Sequence, residues 1–378
     1  MSDDLTFKPG LEGVVAAQTE LSSVDGQKGE LIIAGFPLEE LAANARFEEV
    51  CYLLWQGELP DQPTLEIFRT TMASYRELPA ATFSLLAEAA KHGASPMDAL
   101  RMATGTFDLD VAGESDMVKA KAITARVPPA IATYWRLLND REVIPPRHDL
   151  SRSSNYLYML TGEVPGPETV RGLETYLNTV SDHGLNASTF AARVIIATES
   201  DMVSAVTGAM GALKGPLHGG APGPALDMVF EIGSADRAEP FIREKLDRGE
   251  RLMGFGHRVY KVRDPRADVL CRAAERMYRA EGDMALYDLV KQVEATAIRL
   301  LDDCKPGRNL RTNVEFYTAL LLHGIGLDTP LFTPTFAMGR VAGWIGHCFE
   351  QQRTGRLIRP ESVYIGQKGR RWVPIEQR

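Results

Sequence analysis

The chain has 378 residues, 44% of them hydrophobic and 24% charged, with a formal net charge of −8 and a pI of about 5.5. This is the composition of a globular protein long enough to bury a large core and to divide into two domains. The acidic balance argues against a nucleic-acid partner, which calls for a basic patch, and no run of about 18 apolar residues is present to span a membrane.

The N-terminus, MSDDLTFKPG, is acidic and lacks the apolar core of a signal peptide. The cysteines, Cys51, Cys271, Cys304 and Cys348, lie far apart, so neither a zinc ribbon nor a CxxC redox pair is expected. These features predict a reduced, cytoplasmic protein. Residues 13–35, GVVAAQTELSSVDGQKGELIIAG, alternate weakly, and DGQKG is a turn between two apolar runs, so short β pieces are expected there. Beyond them the helical period dominates. In 37–55, Leu38, Leu41, Phe47, Val50 and Leu54 fall on one face. Ser95, Pro96 and Asp98 open a helix as N-cap, first residue and third residue. Val170, Leu173, Leu177 and Val180 form one stripe over 167–180. Further helices are predicted near 116–138, 188–213, 224–248, 266–282, 284–304, 312–323 and 333–352. Pro128 and Pro129 should bend or split the helix over 116–138. No βαβ alternation and no fixed-period repeat occurs, which leaves a mainly α fold. The Pro/Gly-rich stretch near 215–224 is one candidate boundary and 318–325 another, making 221–320 an inserted smaller domain.

Three clusters carry candidate chemistry. His218 stands in KGPLHGGAPGP, a turn whose glycines allow a ligand close to the backbone. His257 stands in MGFGHRVYKVRDPR, where Gly254 and Gly256 leave backbone amides open to a ligand. Arg258, Lys261, Arg263 and Arg266 follow, and a helix starting near Arg266 adds its positive end, an arrangement suited to a carboxylate or phosphate. In CKPGRNLRTNVEFYTA, Lys305, Arg308 and Arg311 precede a helix starting near Asn313, with Glu315 in its first turn. His183, in SDHGLNAST, also adjoins a glycine. The other four histidines, His92, His148, His323 and His347, have surroundings that suggest structural or solvent roles. No HExxH, GxSxG or GxGxxG pattern is present, so a metal site, a hydrolase nucleophile and a dinucleotide fingerprint all lack support.

Together these stretches resemble the citrate synthase family, nearly end to end, through GLEGVVAAQTELSSVDGQKGELIIAGFPLEELA, NASTF, KGPLHGG, MGFGHRVYKVRDPRA, NVEFYTA, FTPTFAMGRVAGWIGHCFEQ and LIRPESVYIG. The length is similar to the short bacterial and archaeal form. The resemblance implies an all-α, two-domain fold: a large helical domain from 1–220 and 321–378, an inserted smaller helical domain from 221–320, and minor β structure at the N-terminus. It implies a homodimer that condenses acetyl-CoA with oxaloacetate and hydrolyses citryl-CoA, with no metal or redox cofactor. By motif, His218 matches the histidine that hydrogen-bonds the thioester oxygen and His257 the one that polarises the oxaloacetate carbonyl. Glu315 matches the carboxylate base. His183, Arg266 and Arg340 match oxaloacetate and citrate binders, and Arg359 an arginine supplied by the partner subunit. Gly254, Phe255, Gly256, Arg258, Arg308 and Arg311 match CoA contacts.

Two positions depart from the family pattern. Glu315 stands where the family usually has aspartate, in NVDFYSG, and the extra methylene moves the carboxylate by about 1 Å, enough to cost on the order of 100-fold in rate unless the backbone compensates. HGGAPGPAL replaces HGGANEAV, and Pro222 removes an amide donor after the His218 turn. Both read as a subfamily style rather than inactivation. The alternatives are a 2-methylcitrate synthase using propionyl-CoA, since one methylene discriminates only about 10- to 200-fold, and a non-catalytic CoA or dicarboxylate sensor.

Overall fold

A computed structural model describes residues 7–219, 222–257 and 259–378. The chain opens with a three-stranded antiparallel meander, β1 (Ser22–Asp25), β2 (Glu30–Ile33) and β3 (Phe36–Pro37), in which Ser22 faces Ile33 and Asp25 faces Glu30. The Asp25 carboxylate accepts the Gln27 and Lys28 amides at 3.0 Å and so builds the tight turn read in DGQKG. Everything else that is regular is helical: α1 (Leu38–Asn44), α2 (Phe47–Gln56), α3 (Gln62–Ser74), α4 (Ala80–Lys91), α5 (Pro96–Thr104), α6 (Asp116–Leu138), α7 (Arg152–Thr161), α8 (Pro167–Val180), α9 (Ala187–Ile196), α10 (Met202–Leu213), α11 (Pro222–Ile232), α12 (Ala235–Asp247), α13 (Pro265–Glu281), α14 (Ala285–Cys304), α15 (Val314–Gly324) and α16 (Phe332–Thr354), with short 3-10 turns besides. The predicted all-α architecture with a small N-terminal sheet is thus observed.

Side-chain caps start these helices where polar residues precede apolar runs. Ser95 accepts the Asp98 amide, Asn186 the Thr189 amide, Asp264 the Arg266 amide and Asn313 the Glu315 amide; each such cap is worth about 1 kcal/mol. Helix α16 is the central element. It is buried over most of its length and packs on α2, α6, α8, α9 and α10. Its glycines set how close the neighbours come: a Cβ at Gly343 would lie 2.3 Å from the Ser181 carbonyl oxygen, so only glycine lets the segment carrying Asp182 and His183 lie on this helix.

The structure differs from the periodicity reading where helices break or continue. The 37–55 stretch divides between α1 and α2, where the Arg46 amide donates to Glu49 at 2.7 Å and restarts the helix. The 188–213 stretch divides at 197–201, and 224–248 divides at 233–234, where Gly233 has φ +70°. Conversely, α6 runs through Pro128 and Pro129 without splitting. Proline at 128 cannot serve the Thr124 carbonyl; the buried Arg152 guanidinium donates to that oxygen instead, at 3.3 Å, so the lost helical bond is replaced from outside.

Candidate active site

The loop ending in α13 and the loop ending in α15 lie side by side. Phe255 pairs with Thr312 as an antiparallel bridge. The Gly256 amide donates to the Arg311 carbonyl at 2.7 Å, and the Asn313 amide donates to the Gly254 carbonyl at 2.9 Å. The Asn313 side chain adds a bond to the Gly256 carbonyl, also at 2.9 Å. Gly254 and Gly256 both have φ +84°, and a Cβ at Gly254 would meet the Phe316 ring at 2.8 Å. The glycines therefore serve this loop-to-loop fit, and the Gly256 amide, expected to face a ligand, is spent on Arg311. Phe255 packs on Phe316 with ring centroids 5.1 Å apart. Arg311 pairs with Asp302 at 2.7 Å and Arg308 is exposed; Arg258 lies outside the described residues.

Two buried carboxylates lie beneath these loops. Asp264 takes Arg266 through Nε at 3.0 Å and Nη2 at 2.8 Å, and also accepts the Val314 amide at 3.2 Å. It thereby joins Arg266 to the start of the helix that carries Glu315. Glu294, on α14, accepts from Arg263 at 2.8 Å, Thr312 at 2.6 Å and Lys291 at 2.9 Å, and from the Tyr317 hydroxyl. Burial would raise the Glu294 pKa, but the Thr312, Tyr317 and Lys291 hydrogen bonds and the Arg263 charge outweigh it and hold the carboxyl below its usual range.

His257 is oriented by its own loop. Its Nδ1 accepts the Val259 and Tyr260 amides, both at 3.0 Å. A neutral imidazole has one proton, so Nδ1 as acceptor leaves Nε2–H as the donor. Nε2 lies 3.2 Å from Arg266 Nη2, which is itself a donor, so in this tautomer the contact sets two N–H groups side by side and is not a hydrogen bond. Burial first, then the Arg266 charge, pull its pKa down to about 4, so His257 is neutral at pH 7. Glu315 is half-buried, and burial pushes its carboxyl above the usual range; Arg266 opposes this and Asp264 adds to it.

The second pair of histidines follows α8 and α10. His183 Nε2 lies 3.1 Å from the Tyr260 hydroxyl, and its ring centroid is 6.2 Å from that of His257. Burial, then Arg266 and Arg340, hold its pKa well below the ordinary value. His218 Nε2 lies 2.7 Å from Ser188 Oγ, which accepts the Trp344 indole N–H at 3.0 Å. The Ser188 proton has two acceptors, Asn186 Oδ1 and His218 Nε2. Asn186 Oδ1 is already served by the Thr189 amide. When the hydroxyl turns to His218, Nε2 accepts it and the ring proton sits on Nδ1. A serine hydroxyl thus meets the ring at Nε2, beside a hydrogen bond to the backbone. Burial and Arg340 lower the His218 pKa to about 4. Arg340 is buried, donates to the Val180 carbonyl at 2.6 Å and stacks on Phe336. Its pKa, lowered to about 10 chiefly by burial, leaves it cationic.

Three neutral histidines, an elevated carboxylate and two buried arginines thus share one electrostatic neighbourhood: Arg340 acts on His183 and His218, and Arg266 on His183, His257 and Glu315. Among the described residues no cluster of His, Cys, Asp and Glu is arranged to hold a metal, and no helix is long and apolar enough to cross a membrane. Arg359 stands apart, exposed in the non-helical stretch after α16.

The model of the citrate synthase C-terminal domain matches residues 10–361. A citrate synthase from Haloferax volcanii is 40% identical over 388 residues, covering all of both chains. A 2-methylcitrate synthase from Mycobacterium tuberculosis is 37% identical, covering 96% of this chain and 92% of its own. The solved ternary complex of carboxymethyl coenzyme A and oxaloacetate with citrate synthase from Thermoplasma acidophilum superposes with a TM-score of 0.87 at 29% identity, covering 97% and 98%. The chain belongs to the citrate synthase family.

Four residues of this citrate synthase-family site gave little signal in the sequence. Ser188 and Tyr260 carried no reading of their own. Asp264 was not singled out; it is the N-cap of α13 and also holds Arg266. His347 is wholly buried, with Nε2 3.2 Å from Asp182 and Nδ1 accepting from Arg193 at 2.9 Å. It is structural, as expected, but what it supports is the residue next to His183.

Proposed function

We propose that this protein condenses acetyl-CoA with oxaloacetate and hydrolyses the resulting citryl-CoA to citrate and CoA. The observation that carries the reading is the Glu315 carboxylate, raised by burial and facing the charge of Arg266, which also acts on the neutral His257 and His183. A thioester methyl is a weak carbon acid, so a base alone is not enough; charge developing on the thioester oxygen needs a donor in place. His218, supported by Ser188, is that donor, and Glu315 takes the proton. The enolate carbon attacks the oxaloacetate carbonyl, polarised by the Nε2–H of His257. Water then cleaves the thioester. Acetyl-CoA, oxaloacetate and water balance citrate and CoA, so the reading needs neither a redox cofactor nor a metal.

Oxaloacetate carries two carboxylates, for which Arg266, Arg340 and His183 supply donors. Asp264 already occupies the Nε and Nη2 positions of Arg266, so a substrate carboxylate meets the guanidinium edge it leaves. CoA lies along Gly254–Gly256, Arg258, Arg308 and Arg311. We divide the chain into a large domain, 1–220 and 321–378, and a small domain, 221–320, with the substrates between. Arg359 belongs to the site of a partner subunit in a homodimer. Supporting this, its stretch exposes Leu357, Val363, Tyr364, Ile365 and Trp372, apolar side chains that a partner would cover. The free thiols support a cytoplasmic location.

The test is CoA-thiol release with oxaloacetate and acyl-CoAs of increasing length. The expected result is a kcat/KM for acetyl-CoA at least about tenfold above that for propionyl-CoA. The reverse order would make the protein a 2-methylcitrate synthase. Saturable oxaloacetate binding with no thiol release from either would make it a sensor.

A further inference from the structure

The β1–β2 hairpin touches both histidine segments. At its base Ser22 Oγ donates to Asp182 and accepts the Gly184 amide at 2.8 Å, bracketing His183. At its tip the Gly26 carbonyl accepts the Lys261 amide at 2.8 Å. The Lys261 carbonyl in turn accepts from the Asn309 side chain. The tip fits only because it lacks a side chain: a Cβ at Gly26 would lie 2.2 Å from the Val259 carbonyl oxygen. Gly29 needs glycine for its turn, with φ +70°, but Gly26 has no positive φ. An alanine at 26 would therefore leave the hairpin unstrained and strike only the segment it faces. That segment orients the catalytic histidine, since the Val259 and Tyr260 amides hold His257 Nδ1, and the Tyr260 hydroxyl meets His183.

We propose that the hairpin is a positioning element of the dicarboxylate site: Ser22 pins 182–184, Gly26 pins 259–261, and together they set the separation of His183 and His257. Neither residue touches substrate. This deepens the proposed function and rests on it. Both histidines face oxaloacetate rather than the acyl group, so a displaced hairpin weakens oxaloacetate binding more than it slows chemistry at saturation.

The test is calorimetric oxaloacetate binding and steady-state kinetics on the full chain for wild type, Gly26→Ala, Ser22→Ala and Lys28→Ala. Gly26→Ala is expected to raise the oxaloacetate Kd and KM by about 10- to 100-fold, with a smaller fall in kcat. Ser22→Ala, which introduces no clash, is expected to raise them by about 3- to 10-fold. Lys28→Ala, on the exposed side of the same turn, is expected to leave them unchanged. A hairpin needed only for stability would lower the melting temperature and the folded fraction and leave the Kd of the folded protein alone. A Kd within twofold of wild type for both Gly26→Ala and Ser22→Ala overturns the proposal, as does Lys28→Ala weakening binding as much as Gly26→Ala. Should Gly26→Ala not fold, Ser22→Ala decides. Wild-type protein that does not bind oxaloacetate overturns the proposed function instead.

Discussion

Around His257 and Glu315 most of the support comes from within residues 254–317, with the hairpin tip at Gly26 adding a contact through Lys261. Residues 254–256 and 311–313 exchange backbone hydrogen bonds, and Asp264 and Glu294 tie both loops from below. Around His183 and His218 the supporting groups come from distant parts of the sequence: Ser22 and His347 on Asp182, and Trp344 through Ser188 onto His218. The first arrangement makes the proposed base, Glu315, and the proposed carbonyl-polarising histidine, His257, one unit. The second makes His218 depend on α16 through Ser188, and His183 depend on α16 and on the N-terminal hairpin. A change in the first half should therefore damage both chemical roles at once, whereas a change in the second should separate them.

The largest break is expected from Asp264→Asn. It leaves the buried Arg266 without its charge partner, which costs about 3–5 kcal/mol in such pairs, read from urea denaturation. It also frees the start of α15, so kcat should fall on the order of 100-fold or more. A variant with wild-type stability and rate would mean that Asp264 holds neither loop. Glu294→Gln should be milder, about tenfold in kcat with an oxaloacetate KM close to wild type, because Glu294 contacts neither His183 nor Arg340. An equal rise in KM would mean the two halves are not mechanically separate.

How much of this the sequence revealed depends on range. The cap at Ser95, the helix start at Asn313, the DGQKG turn and the first-turn Glu315 are local, and local patterns exposed them. The breaks at 45–46 and 197–201 and the unbroken α6 were not legible. Each depends on a partner far along the chain or on a single capping contact, as Arg152 does for the Thr124 carbonyl. The same holds within the site. Histidines beside glycines stood out, but Ser188, Glu294 and His347 acquire their roles mainly through neighbours more than about a dozen residues away, where periodicity carries no information.

The smallest expected effect is on the pH profile, and it sharpens the comparison. His218 and His257, with pKa values of about 4, stay neutral through most of the acid range, while Glu315 is raised above its ordinary 4.5. With Glu315 as the proposed base, the active form has it ionised, so kcat/KM should fall on acidification as Glu315 gains its proton. The limb should have unit slope and a midpoint above 4.5, with no further loss near pH 6.5. A limb of slope two centred near 6.5 would show that histidines of ordinary basicity control the rate.

The most direct measurement pairs CoA-thiol release with oxaloacetate calorimetry on wild type and Glu315→Gln. The account predicts that the amide variant loses about 100- to 10,000-fold in kcat, the usual share of a general base, while binding oxaloacetate within a few-fold of wild type. Near-normal turnover by Glu315→Gln would contradict it.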